Sequence, residues 1–144
     1  MIENQNTIVV IPARMASTRL PGKPLADIHG LPMILHVWKR AVEANVGQVL
    51  VAAAEIEIAE AVRQHGGAAI VTDPAHPSGS DRIAEALQLR DPEGRFSFVV
   101  NLQGDLPTID TLSIRRCLAG LVNEVADIST IAALIGREED VANP

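Results

Sequence analysis

The chain has 144 residues, 47% of them hydrophobic, enough for one buried core and a single domain spanning residues 1–144. Its 12 Lys+Arg against 18 Asp+Glu give a net charge of -6, which excludes the broad basic field that a nucleic-acid polymer needs and leaves a small anion as the better ligand. The one cysteine, Cys117, cannot form an internal disulfide, the N-terminus lacks a signal-peptide layout, and no apolar run reaches the roughly 20 residues of a membrane span, so a cytoplasmic protein without a membrane role is expected.

Short apolar runs bounded by turns alternate with segments of helical period, the pattern of a parallel α/β sheet. The first strand covers residues 7–11. After a Gly-Pro-rich loop, Pro32 opens a helix with Ile34, Val37, Trp38, Ala41 and Val42 on one face, stopped by Gly47. Residues 48–53 form the second strand, and Ile56, Ala59 and Val62 line a helix ending at Gly66-Gly67. The third strand is residues 69–72. A turn-rich segment over 73–80 leads into a helix carrying Ile83, Ala84 and Leu87, closed by Asp91-Pro92-Glu93-Gly94. The fourth strand is residues 96–102. A helix capped near Asp110 then offers Leu112, Leu118, Leu121 and Val122 to the core, and residues 128–135 read as a fifth strand. The expected fold is an open, mostly parallel sheet with helices on both faces. A last strand with nothing to cover its edge points to a domain truncated at its C-terminus.

In such sheets ligands bind beyond the carboxyl ends of the strands, where loops diverge and helix N-termini point into the crevice. Three segments share that edge. The first, after strand one, carries R-x-x-S-x-R-x-x-x-K as Arg14, Ser17, Arg19 and Lys23, three permanent cations around a rigid turn. It is neither a dinucleotide fingerprint nor an ATPase P-loop. Cations clustered there can hold a triphosphate and neutralise charge as it develops; the competing reading is a solvated surface loop. The second segment, Ser78-Gly79-Ser80-Asp81-Arg82, offers hydroxyls and free N–H groups at a helix start, although an ordinary N-cap with a solvated Arg82 is favoured. In the third, Gln103 can read a base edge or sugar hydroxyl, or simply end a strand. Asp105 reads evenly as an Mg²⁺ ligand beside nucleotide phosphates or as a turn or capping residue. His29, His36, His65 and His76 lie at no zinc spacing and receive no catalytic role, and Cys117 reads as a packed residue.

The segments IPARMASTRLPGKPL, LPMILHV, HPSGSDRIAEA and FVVNLQGDLP together resemble the 3-deoxy-manno-octulosonate (Kdo) cytidylyltransferase family, in its N-terminal portion, from about Ile8 onward. The resemblance implies a Rossmann-like nucleotide-binding fold of the nucleotide-diphospho-sugar transferase type. It implies transfer of CMP from CTP to Kdo with release of pyrophosphate for lipopolysaccharide synthesis, Mg²⁺ as cofactor, and a homodimer. By position, Arg14 and Lys23 match the residues holding the triphosphate, with Ser17 and Arg19 completing the loop. Ser78 and Gln103 match nucleotide contacts, and Asp105 matches the first metal-binding aspartate.

Two departures stand out. Leu106 replaces the acidic residue of Q-G-D-E-P, and Ala52-Ala53-Ala54 replaces A-T-D, removing a helix cap. The resemblance further implies that a second metal-binding aspartate, much of the sugar pocket and most of the dimer contact lie beyond residue 144, so the 144-residue chain alone is expected to bind CTP weakly and turn over little. The alternatives are a nucleotide-binding domain that has lost its chemistry and an acylneuraminate-type cytidylyltransferase; the Ser17-Thr18-Arg19 and Lys23-Pro24 pairings favour Kdo over the latter.

Overall fold

The computed structural model describes residues 4–121 and 126–142. Its centre is β1 (Thr7–Ala13), a run of seven residues buried throughout, as expected of a strand covered on both faces. Two short strands, β2 (Asp27–Ile28) and β3 (Leu31–Pro32), form an antiparallel hairpin after the loop. Then follow α1 (Met33–Ala44), β4 (Gln48–Ala53), α2 (Ile56–Gln64), β5 (Ala68–Val71), α3 (Gly79–Arg90), β6 (Phe98–Asn101) and α4 (Thr111–Ala119). The main sheet has the order β5-β4-β1-β6, parallel at every pairing.

This order explains the layers. The chain moves outward from β1 to β4 to β5 and then returns past both to reach β6. Right-handed crossovers running in opposite directions must lie on opposite faces of the sheet. Accordingly Val9, Ile11 and Ala13 pack with buried residues of α1, α2 and α4, whereas Ile8 and Val10 pack with Ile83 and Ala86 of α3. The reversal falls between β1 and β6, so the loops leaving these two neighbours separate and open a crevice.

The expected architecture is present, with corrections. The first strand runs to Ala13, the third is Ala68–Val71, and the fourth is only Phe98–Asn101. The first helix ends ahead of Gly47, because Asn45 turns left-handed at φ 51°. Ile56 is 45% exposed, and Ile58 takes its place beside Ala59 and Val62. Ala84 likewise yields to Ala86, and Leu112 to Ile114, since the helical phase is set by the residues that reach the sheet. Val122 lies outside the described residues.

The fifth strand does not form. Residues 126–137 carry no helix or strand, a 3-10 turn follows at Glu138–Ala142, and Ile128 is 85% exposed. Its apolar pattern is that of a strand, yet a strand also needs a partner edge, which pattern alone does not provide.

Candidate functional site

β1 delivers the chain to the crevice at Ala13, and the following loop is closed on itself. The Gly22 N–H donates to the Met15 carbonyl at 2.9 Å, and Lys23 N–H to the Leu20 carbonyl at 3.2 Å. Gly22 sits at φ 74°, a left-handed conformation that a side chain would strain, and it caps the short 3-10 turn Lys23–Leu25. Pro24, buried inside that turn, fixes the backbone next to Lys23. Arg14 and Lys23 therefore project from a braced loop.

The second wall is the start of α3. Ser78 is its N-cap: its Oγ accepts the Asp81 N–H at 3.1 Å and donates to the Asp81 carboxylate. Arg82, expected to be solvated, is instead 2% exposed. Its Nη1 donates to Thr72 Oγ1 at 2.6 Å and to the Asp73 carbonyl at 3.0 Å, so it binds the segment entering α3 to the helix itself. Burial pushes the Arg82 guanidinium below its ordinary range, nearby Arg14 adds to this, and Glu55 is the foremost opposing charge.

The third wall follows β6. A Cβ on Gly104 would lie 2.7 Å from the Pro12 carbonyl, so only glycine lets this turn press against the end of β1. Gln103 Nε2 donates to Asn101 Oδ1 at 2.9 Å. Asp105 accepts from Lys23 Nζ at 3.1 Å, closing the ring between the third wall and the first.

These walls enclose one cavity of about 950 Å³. All seven residues singled out from the sequence, Arg14, Ser17, Arg19, Lys23, Ser78, Gln103 and Asp105, line it, from segments up to about 90 positions apart. With Arg82 the lining holds four permanent cations and one carboxylate, an excess of three positive charges in a chain of net charge -6. At an effective dielectric near 20, each cation about 4 Å from a phosphate charge contributes about 4 kcal/mol of attraction. An elongated polyanion matches that field.

A family described as Cytidylyltransferase matches residues 8–144. The chain belongs to the cytidylyltransferase family. It is similar to the 3-deoxy-manno-octulosonate cytidylyltransferase of Parvibaculum lavamentivorans, 62% identical over 137 residues, covering 95% of this chain and 53% of that protein. The protein of the same name from Nitrobacter winogradskyi is 59% identical over 144 residues, covering 100% of this chain and 56% of that one. Among solved structures, CMP:2-keto-3-deoxy-manno-octonic acid synthetase complexed with CTP matches with a TM-score of 0.77 at 41% identity, over 85% of this chain and 49% of that chain. The chain thus spans about half the length of the curated relatives it matches.

Several residues of the lining were not read from the sequence as site residues, among them His76, Pro12 and Met33. His76 lines the cavity, with its Nε2 against the Glu85 carboxylate. Glu85 also accepts the Asp73 N–H at 2.9 Å, and this bond, with the contact from His76, holds the Glu85 carboxyl below the usual range. The place of His76 in the Pro-rich turn before α3 was the available signal. Pro12 forms part of the floor and Met33 part of the wall, and nothing in their residue types announces it. Of the two departures, Leu106 is 42% exposed, and α2 has Glu55 at its N-cap position without a side-chain cap. Among the described residues no group of three or more His, Cys, Asp or Glu side chains could hold a metal ion, and no helix is long and apolar enough to cross a membrane.

Proposed function

We propose that this chain carries the nucleotide-binding part of a Kdo cytidylyltransferase, which transfers CMP from CTP to 3-deoxy-manno-octulosonate. The observation that carries this reading is the four-cation cavity at the strand-order reversal, in a chain 41% identical to a synthetase whose structure holds CTP. The anomeric hydroxyl of Kdo attacks the α-phosphorus of CTP and gives up its proton to solvent, a new O–P bond forms, the bond from the α-phosphorus to the bridging oxygen breaks, and pyrophosphate departs with that oxygen. Such an in-line displacement needs positioning and charge neutralisation more than a protein nucleophile.

Arg14 and Lys23 hold the triphosphate and offset the charge gathering on the departing pyrophosphate. Ser17 and Arg19 complete that grip, while Ser78 and Gln103 contact the nucleoside portion from the other two walls. Mg²⁺ typically uses one or two protein carboxylates together with phosphate oxygens and water. Asp105, exposed on the cavity lining, fits the part of this chain's carboxylate ligand, and Mg²⁺ when bound would add neutralisation of the phosphates. The sugar site, a second metal ligand and a homodimer contact are assigned to the remainder of a longer protein, and the reaction to the cytoplasmic supply of activated Kdo for lipopolysaccharide.

The test is pyrophosphate release by the full-length protein with CTP, Mg²⁺ and either Kdo or an acylneuraminate. Release with Kdo alone is expected. Release with the acylneuraminate alone transfers the assignment to the sialic-acid branch, and release with neither removes the enzymatic reading.

A further inference from the structure

Glu55 occupies the N-cap position of α2 yet makes no side-chain cap to that helix. Its carboxylate crosses to another part of the chain, where Oε2 accepts the Met15 N–H at 2.9 Å over a separation of 40 positions. Met15 is thereby held through both of its peptide groups, since its carbonyl accepts from Gly22 at 2.9 Å. The segment between them carries Ala16, Ser17, Thr18 and Arg19, all on the cavity lining, and Arg14 immediately precedes Met15. The loop neck is closed by Met15 and Gly22, and Glu55 fastens that neck to the sheet.

The attachment point is rigid. β1 and β4 pair residue by residue up to Ala13 and Ala53, and the Ala54 N–H continues the ladder by donating to the Ala13 carbonyl at 2.9 Å. Glu55 is the next residue. Its charge also favours the cationic form of Arg82, against the opposing pull of burial and of nearby Arg14.

We infer that Glu55 is a positioning residue for nucleotide binding: by accepting the Met15 N–H it sets the aim of Arg14 and Ser17 before the triphosphate arrives. Glu55 does not line the cavity, so its effect passes through the loop backbone. A pre-set loop loses less freedom on binding, and the gain appears as affinity. This inference rests on the CTP reading above.

The experiment compares Glu55→Ala and Glu55→Gln with the parent full-length protein, reading CTP affinity by calorimetry, KM and kcat by pyrophosphate release, and thermal unfolding. Glu55→Ala should weaken CTP binding and raise KM for CTP by about tenfold with kcat within about threefold, and Glu55→Gln, which keeps an acceptor oxygen, should restore binding to within about threefold. An alanine variant that binds CTP as the parent does overturns the inference. So does one with unchanged KM and a lower apparent kcat, the mark of a smaller folded fraction, and so does a glutamine variant as weak as the alanine one. A parent that binds no CTP instead overturns the proposed function.

Discussion

Lys23 and Asp105, 82 positions apart, meet in an ion pair of 3.1 Å that joins the loop after β1 to the turn after β6. Their side chains are 37% and 54% exposed, so the pair is worth at most about 1 kcal/mol and yields readily to a stronger partner. Under the proposed function a triphosphate would draw Lys23 away and a divalent cation would draw Asp105 away, which makes the contact a holding position for two groups with separate tasks.

Lys23→Ala should lower turnover of the full-length protein by about 10²–10³-fold, the loss typical when one donor to developing charge is removed. The same variant frees Asp105 and should bind Mg²⁺ more tightly without nucleotide, measurable by calorimetry. Unchanged kinetics would leave the loop a solvated surface feature. Asp105→Asn should shift the Mg²⁺ titration of activity to higher concentration, and an unaltered titration removes Asp105 from the metal site.

Arg82→Met should destabilise the fold by about 2–3 kcal/mol, because Thr72 Oγ1 and the Asp73 carbonyl lose their shared donor inside the protein. Denaturant unfolding reads this directly. A midpoint equal to the parent's would show that the segment before α3 is held by other means.

Gly104→Ala tests the packing of two walls against each other. The added Cβ would sit 2.7 Å from the Pro12 carbonyl, and since backbone cannot swing aside, Gln103 and Asp105 must shift. A cost of about 1–3 kcal/mol in stability is expected, together with weaker CTP binding by calorimetry.

Acid should destabilise the protein through Asp91 and Glu85. Asp91 is 8% exposed, and its carboxyl is held below the usual range first by the Phe96 N–H at 2.9 Å and then by Arg95. A depressed carboxylate contributes stability above its unfolded pKa, near about 4, and loses it as pH falls through the lower folded value. Thermal midpoints should therefore drop below about pH 4, and Asp91→Asn should lower the neutral-pH midpoint while flattening that drop. An equal acid slope in the variant assigns the effect to other groups.

The parallel sheet was legible because its strands are short apolar runs punctuated by Gly and Pro, and the second was read with its observed bounds, Gln48–Ala53. The cavity residues were legible for a related reason: they lie on segments that follow a strand end, and parallel strands bring such ends to one edge. What stayed hidden depends on partners remote in sequence. Arg82 reads as solvated until Thr72 and Asp73 are seen to accept from it, and nothing in the sequence around Glu55 points to Met15, 40 positions away. The 128–135 run shows the converse, a local pattern without a neighbouring edge to pair with. One miss was avoidable: His29 and Gly30 have φ of 52° and 80°, the pair of left-handed residues that tight hairpins favour, and a glycine after the Asp27-Ile28-His29 run is the sequence mark of such a turn.

The complete burial of β1 also has a temporal side. Its amides are sealed between two parallel neighbours and two apolar layers, so they open only when the whole domain does, whereas the three cavity walls are loops and helix ends that open at far smaller cost. Hydrogen exchange should find the slowest protons of the protein directly beneath its most responsive surface. Under the proposed function, nucleotide would come and go through movements of the rim while the strand that sets the common level of the three walls stays still.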